Sequence, residues 1–126
     1  MCLLNPSKQK IAKKDITCYT IVYKIGNNPY LSPYYYVGIK LGVTMTSDLL
    51  HGFDPPDLNL PLVIQKGLHS FNHLKNAKDV NDTLWDSELV VLKNIIPRGA
   101  EYYSGTFNNC AARASNKRIA IEEVSV

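Results

Sequence analysis

The sequence has few of the features that mark several common classes of protein. Its three cysteines, Cys2, Cys18 and Cys110, include no CxxC pair. An odd and widely spaced set predicts neither a disulfide scaffold nor a zinc ribbon. The apolar stretch 2–4 is followed at once by proline and lysine residues, which does not fit a signal peptide. No apolar run approaches the roughly 20 residues of a membrane span. These absences predict a reduced, cytoplasmic protein without a membrane segment.

Charge of one sign is also scarce. The formal net charge of the 126 residues is only +3, and the most concentrated basic part is the segment 1–14 with its four lysines. So mild and local a charge does not predict a nucleic-acid partner. The segment 1–14 shows no periodicity and is interpreted as a basic leader, followed by a single domain over residues 15–126. A chain of this length buries one core and has no room for a second.

What the sequence does contain is mainly strand-forming. Residues 15–25 and 88–96 are rich in β-branched, aromatic and aliphatic side chains on both alternating faces, which favours interior strands. A β-rich stretch at 30–45 and a last strand at 118–124 complete the set. Pro97 and Gly99 predict a type I turn over residues 96–99.

The remaining segments predict one helix and two loops. Ser70 is placed to cap a short helix over residues 71–80, in which the apolar side chains fall on one side. Residues 51–61 contain three prolines and are predicted to form a long loop. A polar loop is predicted around Asn108, Asn109 and Arg113. Because strands dominate, the expected fold is α+β, with a mixed or antiparallel sheet and one or two short helices.

No set of residues completes a metal or catalytic site. His69 and His73 have a spacing that suits zinc on a helix, but the glutamate of that pattern is replaced by Ser70 and no third ligand is near. Ser70 lacks the glycines of a nucleophile elbow. Cys18 lies in a predicted buried strand, where a thiol is usually inert, and Cys110 lies in a predicted loop without a local base.

Two further features each have two interpretations. Glu122 and Glu123 are adjacent on a strand and point to opposite faces, so solvated charges fit better than a paired acid and base. The tyrosines Tyr34, Tyr35 and Tyr36 could stack on a base or a nicotinamide ring, or they could be half-buried sheet residues. No glycine loop of the usual phosphate-binding spacing is present, so no cofactor is predicted.

Four segments in order carry a resemblance: residues 18–24, residues 67–71 with Ala77, residues 89–103, and residues 114–119. Together they resemble small uncharacterised proteins of Bacteroides-type gut bacteria and their phages. More distantly, they are similar to the ADP-ribosyltransferase fold. That fold has an early strand with an arginine or histidine, a glycine-aromatic-serine segment, and a late strand that carries a catalytic glutamate.

The departures from this pattern affect the expected activity. Tyr23 and Lys24 stand where the family places its NAD-binding arginine or histidine, and Ser70 can occupy the serine position. Asn116 stands near the expected glutamate, and no acid follows before Glu122. An amide cannot stabilise the positive charge that develops on the ribose. The resemblance therefore implies a copy that is not an active transferase.

The expected function is that of a non-catalytic binding module, a degenerate transferase-like domain with a nucleotide-like ligand or a protein partner. Five of the residues discussed above are the expected ligand contacts: His69, Ser70, Tyr34, Tyr36 and Asn116. The alternative is a phage or mobile-element accessory protein, structural or host-interacting, that acts through its surface in the host cytoplasm or in the virion.

Overall fold

The computed structural model describes residues 3–4, 6–24, 30–31, 38–51, 63–83 and 88–124. Within these residues the chain forms thirteen strands and one helix. The strands of the first half are β1 (Leu3–Leu4), β2 (Lys10–Ile11), β3 (Ile16–Tyr23), β4 (Tyr30–Leu31), β5 (Gly38–Ile39), β6 (Thr44–Thr46), β7 (Leu50–His51) and β8 (Val63–Lys66). The second half holds β9 (Leu68–Phe71), α1 (Leu74–Thr83), β10 (Leu89–Ile96), β11 (Glu101–Phe107), β12 (Cys110–Ser115) and β13 (Lys117–Val124).

All the strands belong to one antiparallel sheet. Ten of them follow the order β6-β13-β10-β3-β9-β12-β11-β1-β8-β7, while β2 pairs with β11, and β4 pairs with β3 and β5. The expected strand-dominated α+β architecture is confirmed at this level. The two longest ladders join β3 to β10, from Ile16↔Ile96 to Tyr23↔Leu89, and β10 to β13. Strand β3 also touches β9 through Tyr19↔Phe71, so it is interior to the sheet as its apolar pattern predicts.

The sheet is curled, and a short link between two strands shows why. Strands β13 and β12 stand four steps apart in the order β13-β10-β3-β9-β12. Across a flat sheet that separation is about 19 Å. Yet only Asn116 joins Ser115 at the end of β12 to Lys117 at the start of β13, a link that reaches about 7 Å at most. The five strands must therefore bend until β12 and β13 meet.

The curl gives the five strands an inner and an outer face. The inner face carries Cys18, Thr20, Leu92, Asn94 and the side chains opposite them in the ladders. Helix α1 packs on the outer face, where a buried cluster joins Ala77 of the helix to Phe71 and Val91 of the sheet. The inner face has two apolar clusters of its own, one around Val22, Ile39, Leu92 and Ala120, the other around Ala12, Cys18, Ile96 and Ala100.

Part of the segment interpreted as a leader lies in the sheet. Leu3 is fully buried against Tyr103, Ala112 and Ala114, and β1 pairs with both β8 and β11. Strand β2 pairs with β11, and the backbone of Ala12 hydrogen-bonds to Gly99 and Ala100. Gly105 makes room for β1, since a Cβ atom there would overlap the Leu4 carbonyl oxygen.

Several predicted boundaries were wrong. The helix begins at Leu74 rather than at residue 71, because Leu68–Phe71 pairs with β12; Ser70 is a strand residue and caps no helix. The turn runs from Pro97 to Ala100, closed by the Ala100 N–H donating to the Pro97 carbonyl at 3.0 Å. Gly99 has a φ of 89°, which marks a type II rather than a type I turn.

The predicted polar loop around Asn108 is instead a tight hairpin. Asn108 and Asn109 have φ values of 49° and 60°, as the two central residues of a type I′ turn require. Strands β11 and β12 pair from Phe107↔Cys110 to Tyr102↔Ser115. Cys110 and Arg113 are therefore strand residues. The predicted loop 51–61 has one described residue, His51 of β7, and its other residues lie outside the described part of the chain.

Candidate functional site

The inner face carries a group of buried and half-buried polar side chains that we call the interior cluster: Cys18, Ser70, Arg113 and Arg118. They come from β3, β9, β12 and β13, so the cluster exists only because the sheet curls. Ser70 and Arg113 are directly opposite each other in the β9–β12 ladder, which places their side chains on the same face. Both arginines lie near enough to affect the pKa of Cys18.

Arg118 is the most unusual member of the cluster. Its side chain is 6% exposed, and its Nη1 donates across the interior to the His69 carbonyl at 2.7 Å. Strands β13 and β9 are not neighbours, so this bond spans the curl. Its Nε has no hydrogen-bond partner, and in the described part of the chain it forms no ion pair. Burial lowers the pKa of Arg118, but a guanidinium keeps its proton in proteins.

Arg113 repeats this pattern closer to the surface. Its Nε is buried without a hydrogen-bond partner, although the residue as a whole is half-buried. Its guanidinium carbon lies 5.9 Å from the centre of the Tyr102 ring, within the range of a cation–π contact. Tyr102 is half-buried as well. The cluster therefore extends from the closed interior at Arg118 to the protein surface beside Tyr102.

Cys18 and Ser70 are the uncharged members of the interior cluster, and Cys18 also packs in one of the apolar clusters of the inner face. Burial raises the pKa of the Cys18 thiol, and the contact with Ser70 and the charges of Arg118 and Arg113 oppose that rise in part. Ser70 is 1% exposed, and its Oγ has no partner in hydrogen-bonding geometry. The Ser70–Cys18 contact is therefore weak. At neutral pH Cys18 is a protonated thiol, which is a poor nucleophile.

A second buried pair on the inner face is already satisfied. Asn94 Nδ2 donates to Thr20 Oγ1 at 2.9 Å and to the Leu92 carbonyl at 3.0 Å. Thr20 is 6% exposed and Asn94 is 1% exposed. Since both hydrogens of the Asn94 amide are used, this pair has a structural role beside the interior cluster.

The structure brings together only part of the predicted contact set. Ser70 lies in the interior cluster, and His69 contributes its carbonyl to Arg118 while its ring Nδ1 lies 3.0 Å from the Gly67 carbonyl. Because His69 and Ser70 are adjacent in a strand, the imidazole points to the other face. Tyr34 and Tyr36 lie outside the described residues.

Asn116 has a structural function at the link between β12 and β13. Its Oδ1 accepts from the Glu101 N–H at 2.9 Å, and its own N–H donates to the Glu101 carbonyl at 3.0 Å. A surface depression of about 430 Å³ lies beside it, lined by Thr46, Ser47, Asp48, Asn116 and Lys117. Asn116 is thus not part of the interior cluster.

The described residues also contain no group of three histidine, cysteine or acidic side chains that could hold a metal ion. His73 lies before α1 and is exposed, whereas His69 is in β9, so the two do not share a helical face. Glu122 and Glu123 point to opposite faces, as predicted. Glu123 Oε2 accepts from Lys24 Nζ at 2.8 Å and from the Tyr30 hydroxyl at 2.9 Å.

Neither interior arginine was predicted from the sequence as a site residue. The second half of β12 alternates the alanines Ala112 and Ala114 with Arg113 and Ser115, a period-2 pattern that could have revealed the strand. Arg118 lies near the start of β13, where a charged residue is normally predicted to be exposed to solvent. Nothing local to the sequence predicts the curl that buries it.

No family model, curated protein or solved structure matches the chain. No helix of the described residues has the length and apolar character needed to cross a membrane. The interior cluster is therefore interpreted from its own chemistry. It brings several hydrogen-bond donors together in one interior.

Proposed function

We propose that the protein is a non-catalytic binding domain and that the interior cluster holds a small polar ligand. One observation supports this above all: Ser70 Oγ, Arg113 Nε and Arg118 Nε are buried without partners on the same inner face. Buried polar atoms in folded proteins are nearly always hydrogen-bonded. Three unpaired atoms that face one interior support a site for a polar ligand there.

The distribution of such atoms supports a local cause. Only two other side chains in the described residues have a buried atom without a partner, and they are Asn72 and Asn81, beside and within α1. Arg113 and Tyr102 are half-buried, so the cluster reaches the protein surface at this pair.

Binding is a better proposal than catalysis because the cluster lacks an activated group. The raised pKa of Cys18 keeps its thiol protonated. Glu122 is exposed and pairs with Lys93, on the outer face, so it cannot act at the inner face. A degenerate ADP-ribosyltransferase-like fold is the more specific form of this proposal. Its support is the set of short sequence motifs at residues 18–24, 67–71 and 89–96.

Thermal unfolding with a ligand panel tests the proposal. The panel contains NAD, ADP-ribose, adenosine and inorganic phosphate, and a ligand present at 100 times its Kd adds about 2.7 kcal/mol of stability. We expect at least one compound to raise Tm, and Ser70→Ala to reduce that rise. The matched control is Ser7→Ala, since Ser7 is exposed and its hydroxyl bonds only the neighbouring Lys8 carbonyl.

Two results would count against this function. One is an unchanged Tm with every compound, together with co-purification or self-assembly, which would favour the alternative of an accessory protein that acts through its surface. The other is a ligand response that Ser70→Ala and Ser7→Ala affect equally, which would place binding outside the interior cluster.

A further inference from the structure

We infer that the interior cluster recognises a phosphate-type oxyanion, which Arg118 and Arg113 bind through their guanidinium groups and Ser70 binds as an additional hydrogen-bond donor. This inference rests on the proposed binding function and names the chemical class of the ligand. It begins from charge: two guanidinium groups are directed to one inner face, and neither forms an ion pair within the described part of the chain.

The first step concerns Arg118. A buried cation is unfavourable unless it is paired and hydrogen-bonded. The His69 carbonyl supplies one hydrogen bond at 2.7 Å, but a carbonyl dipole carries no net charge and leaves Nε unpaired. A guanidinium cannot relieve this by losing its proton. An anion from outside the chain would neutralise it.

The second step is the convergence of the two arginines. Arg118 Nη1 donates to the carbonyl of His69, the residue next to Ser70, and Arg113 stands directly across from Ser70 in the β9–β12 ladder, so both arginines lie beside the same point on the inner face. Arg113 is opposite Ser70, whose hydroxyl is also unpaired. Two positive charges and a hydroxyl donor match a dianionic phosphate group better than a single carboxylate, and arginine binds phosphate oxygens in a bidentate manner.

The third step excludes the neighbouring amide from the site. Asn94 uses both amide hydrogens on Thr20 and on the Leu92 carbonyl, so it has no donor left for a ligand. Among the described residues of the inner face, the buried side-chain atoms without a hydrogen-bond partner belong to the two arginines and Ser70. This division assigns the recognition of the anion to charged groups, and it predicts that a neutral ligand cannot replace it.

The test is a titration with inorganic phosphate at constant ionic strength, balanced with chloride, followed by Tm and by isothermal calorimetry. The variants are Arg113→Gln, Arg118→Gln and Arg98→Gln. Arg98 is the matched control because it is exposed in the turn after β10, and its contact with Asp15 uses the backbone N–H. We expect phosphate and not chloride to raise Tm. Arg113→Gln should weaken phosphate binding at least tenfold, and Arg98→Gln should leave it unchanged.

A second measurement does not depend on binding. Without phosphate, Arg118→Met removes the buried charge and should raise Tm above that of the wild type, while it abolishes the response to phosphate. If Arg118→Gln does not fold, Arg113→Gln still decides, since Arg113 is only half-buried. Equal responses to phosphate and chloride, or equal loss in Arg113→Gln and Arg98→Gln, would overturn the inference.

The outcomes also separate this inference from the proposed function. If adenosine stabilises the protein, with loss in Ser70→Ala and no loss in the arginine variants, the binding function stands and the oxyanion is wrong. If phosphate and ADP-ribose bind through Arg113 and adenosine does not bind, the binding function and the oxyanion inference both stand. The ratio of the affinities for phosphate and ADP-ribose then tells whether the natural ligand is a free anion or a phosphorylated nucleotide. If nothing binds, both fail.

Discussion

The Thr20–Asn94 hydrogen bond provides a quantitative test of how the inner face is built. The donor and acceptor are 2.9 Å apart, and the two residues are 1% and 6% exposed. Thr20→Val keeps the volume and the β-branch but removes the acceptor. One amide hydrogen of Asn94 is then buried without a partner, which costs about 1–3 kcal/mol. At roughly 4 °C per kcal/mol for a domain of this size, Tm should fall by about 4–12 °C.

The same pair can be removed from the other side. Asn94→Leu leaves the Thr20 hydroxyl in an apolar surrounding and should also lower the free energy of unfolding, again by about 1–3 kcal/mol. When both partners become apolar groups of similar shape, neither polar group is left unpaired. The double variant should therefore lose clearly less than the sum of the two single variants, with a coupling energy of about 1–2 kcal/mol.

Urea unfolding followed by far-UV circular dichroism measures all four free energies of unfolding. The m-value should stay constant across the set, because the exposed surface on unfolding is unchanged. Single variants that add to the double variant within about 0.5 kcal/mol would refute the idea that this bond holds its partners together. A double variant that loses more stability than the sum of the two single losses would show that Asn94 acts mainly through the Leu92 carbonyl.

Three further predictions concern charge, the thiol and the packing of β1. Lys24 and Tyr30 lower the pKa of Glu123. The contribution of Glu123 to stability is therefore present above its ordinary pKa and is lost as pH falls through the lowered value. Measured by urea midpoints, Glu123→Gln should be slightly less stable than the wild type at pH 7 and equal to it in strong acid. Burial raises the pKa of the Cys18 thiol above its ordinary value, so the folded state holds the proton and stability is lost as pH rises past the pKa of the unfolded state. Under reducing conditions Cys18→Ala should lose less stability than the wild type between about pH 7 and 10, and parallel curves would contradict this. Gly105→Ala should displace β1, since its Cβ would also lie 2.8 Å from Leu3 Cγ, and should cost about 1–3 kcal/mol, whereas Gly38→Ala, with nothing within 4 Å, is the control with little effect.

The long strands could be predicted from the sequence because their chemistry is local. Residues 88–96 are apolar on both faces, and only an interior strand needs that pattern. The same holds for residues 15–25, of which β3 covers Ile16–Tyr23. The two-residue strands β1 and β2 could not be predicted in this way, since two residues carry no periodicity. Their positions depend on contacts with β8 and β11.

The interior cluster could be predicted only in part. Ser70 entered the expected contact set through a resemblance, and its burial beside Cys18 is a consequence of pairing between β9 and β12. The helix cap assigned to Ser70 failed because strand pairing outweighed a local capping signal. Arg118 is buried by a curl that brings β13 across from β9, and no property of its neighbours in sequence encodes that distance.

The pairing of β3 with β10 has a consequence for the speed of folding. Its ladder joins Thr20 to Leu92, which are 72 positions apart (92 − 20), whereas β11 and β12 meet across a two-residue turn. A hairpin of the latter kind forms in about 1–10 μs. A ladder between distant segments must first overcome the entropy of closing a long loop, and domains dominated by such pairings fold in milliseconds to seconds. The β11–β12 hairpin is thus available as an early template, and the inner face takes shape only when the slower ladder closes.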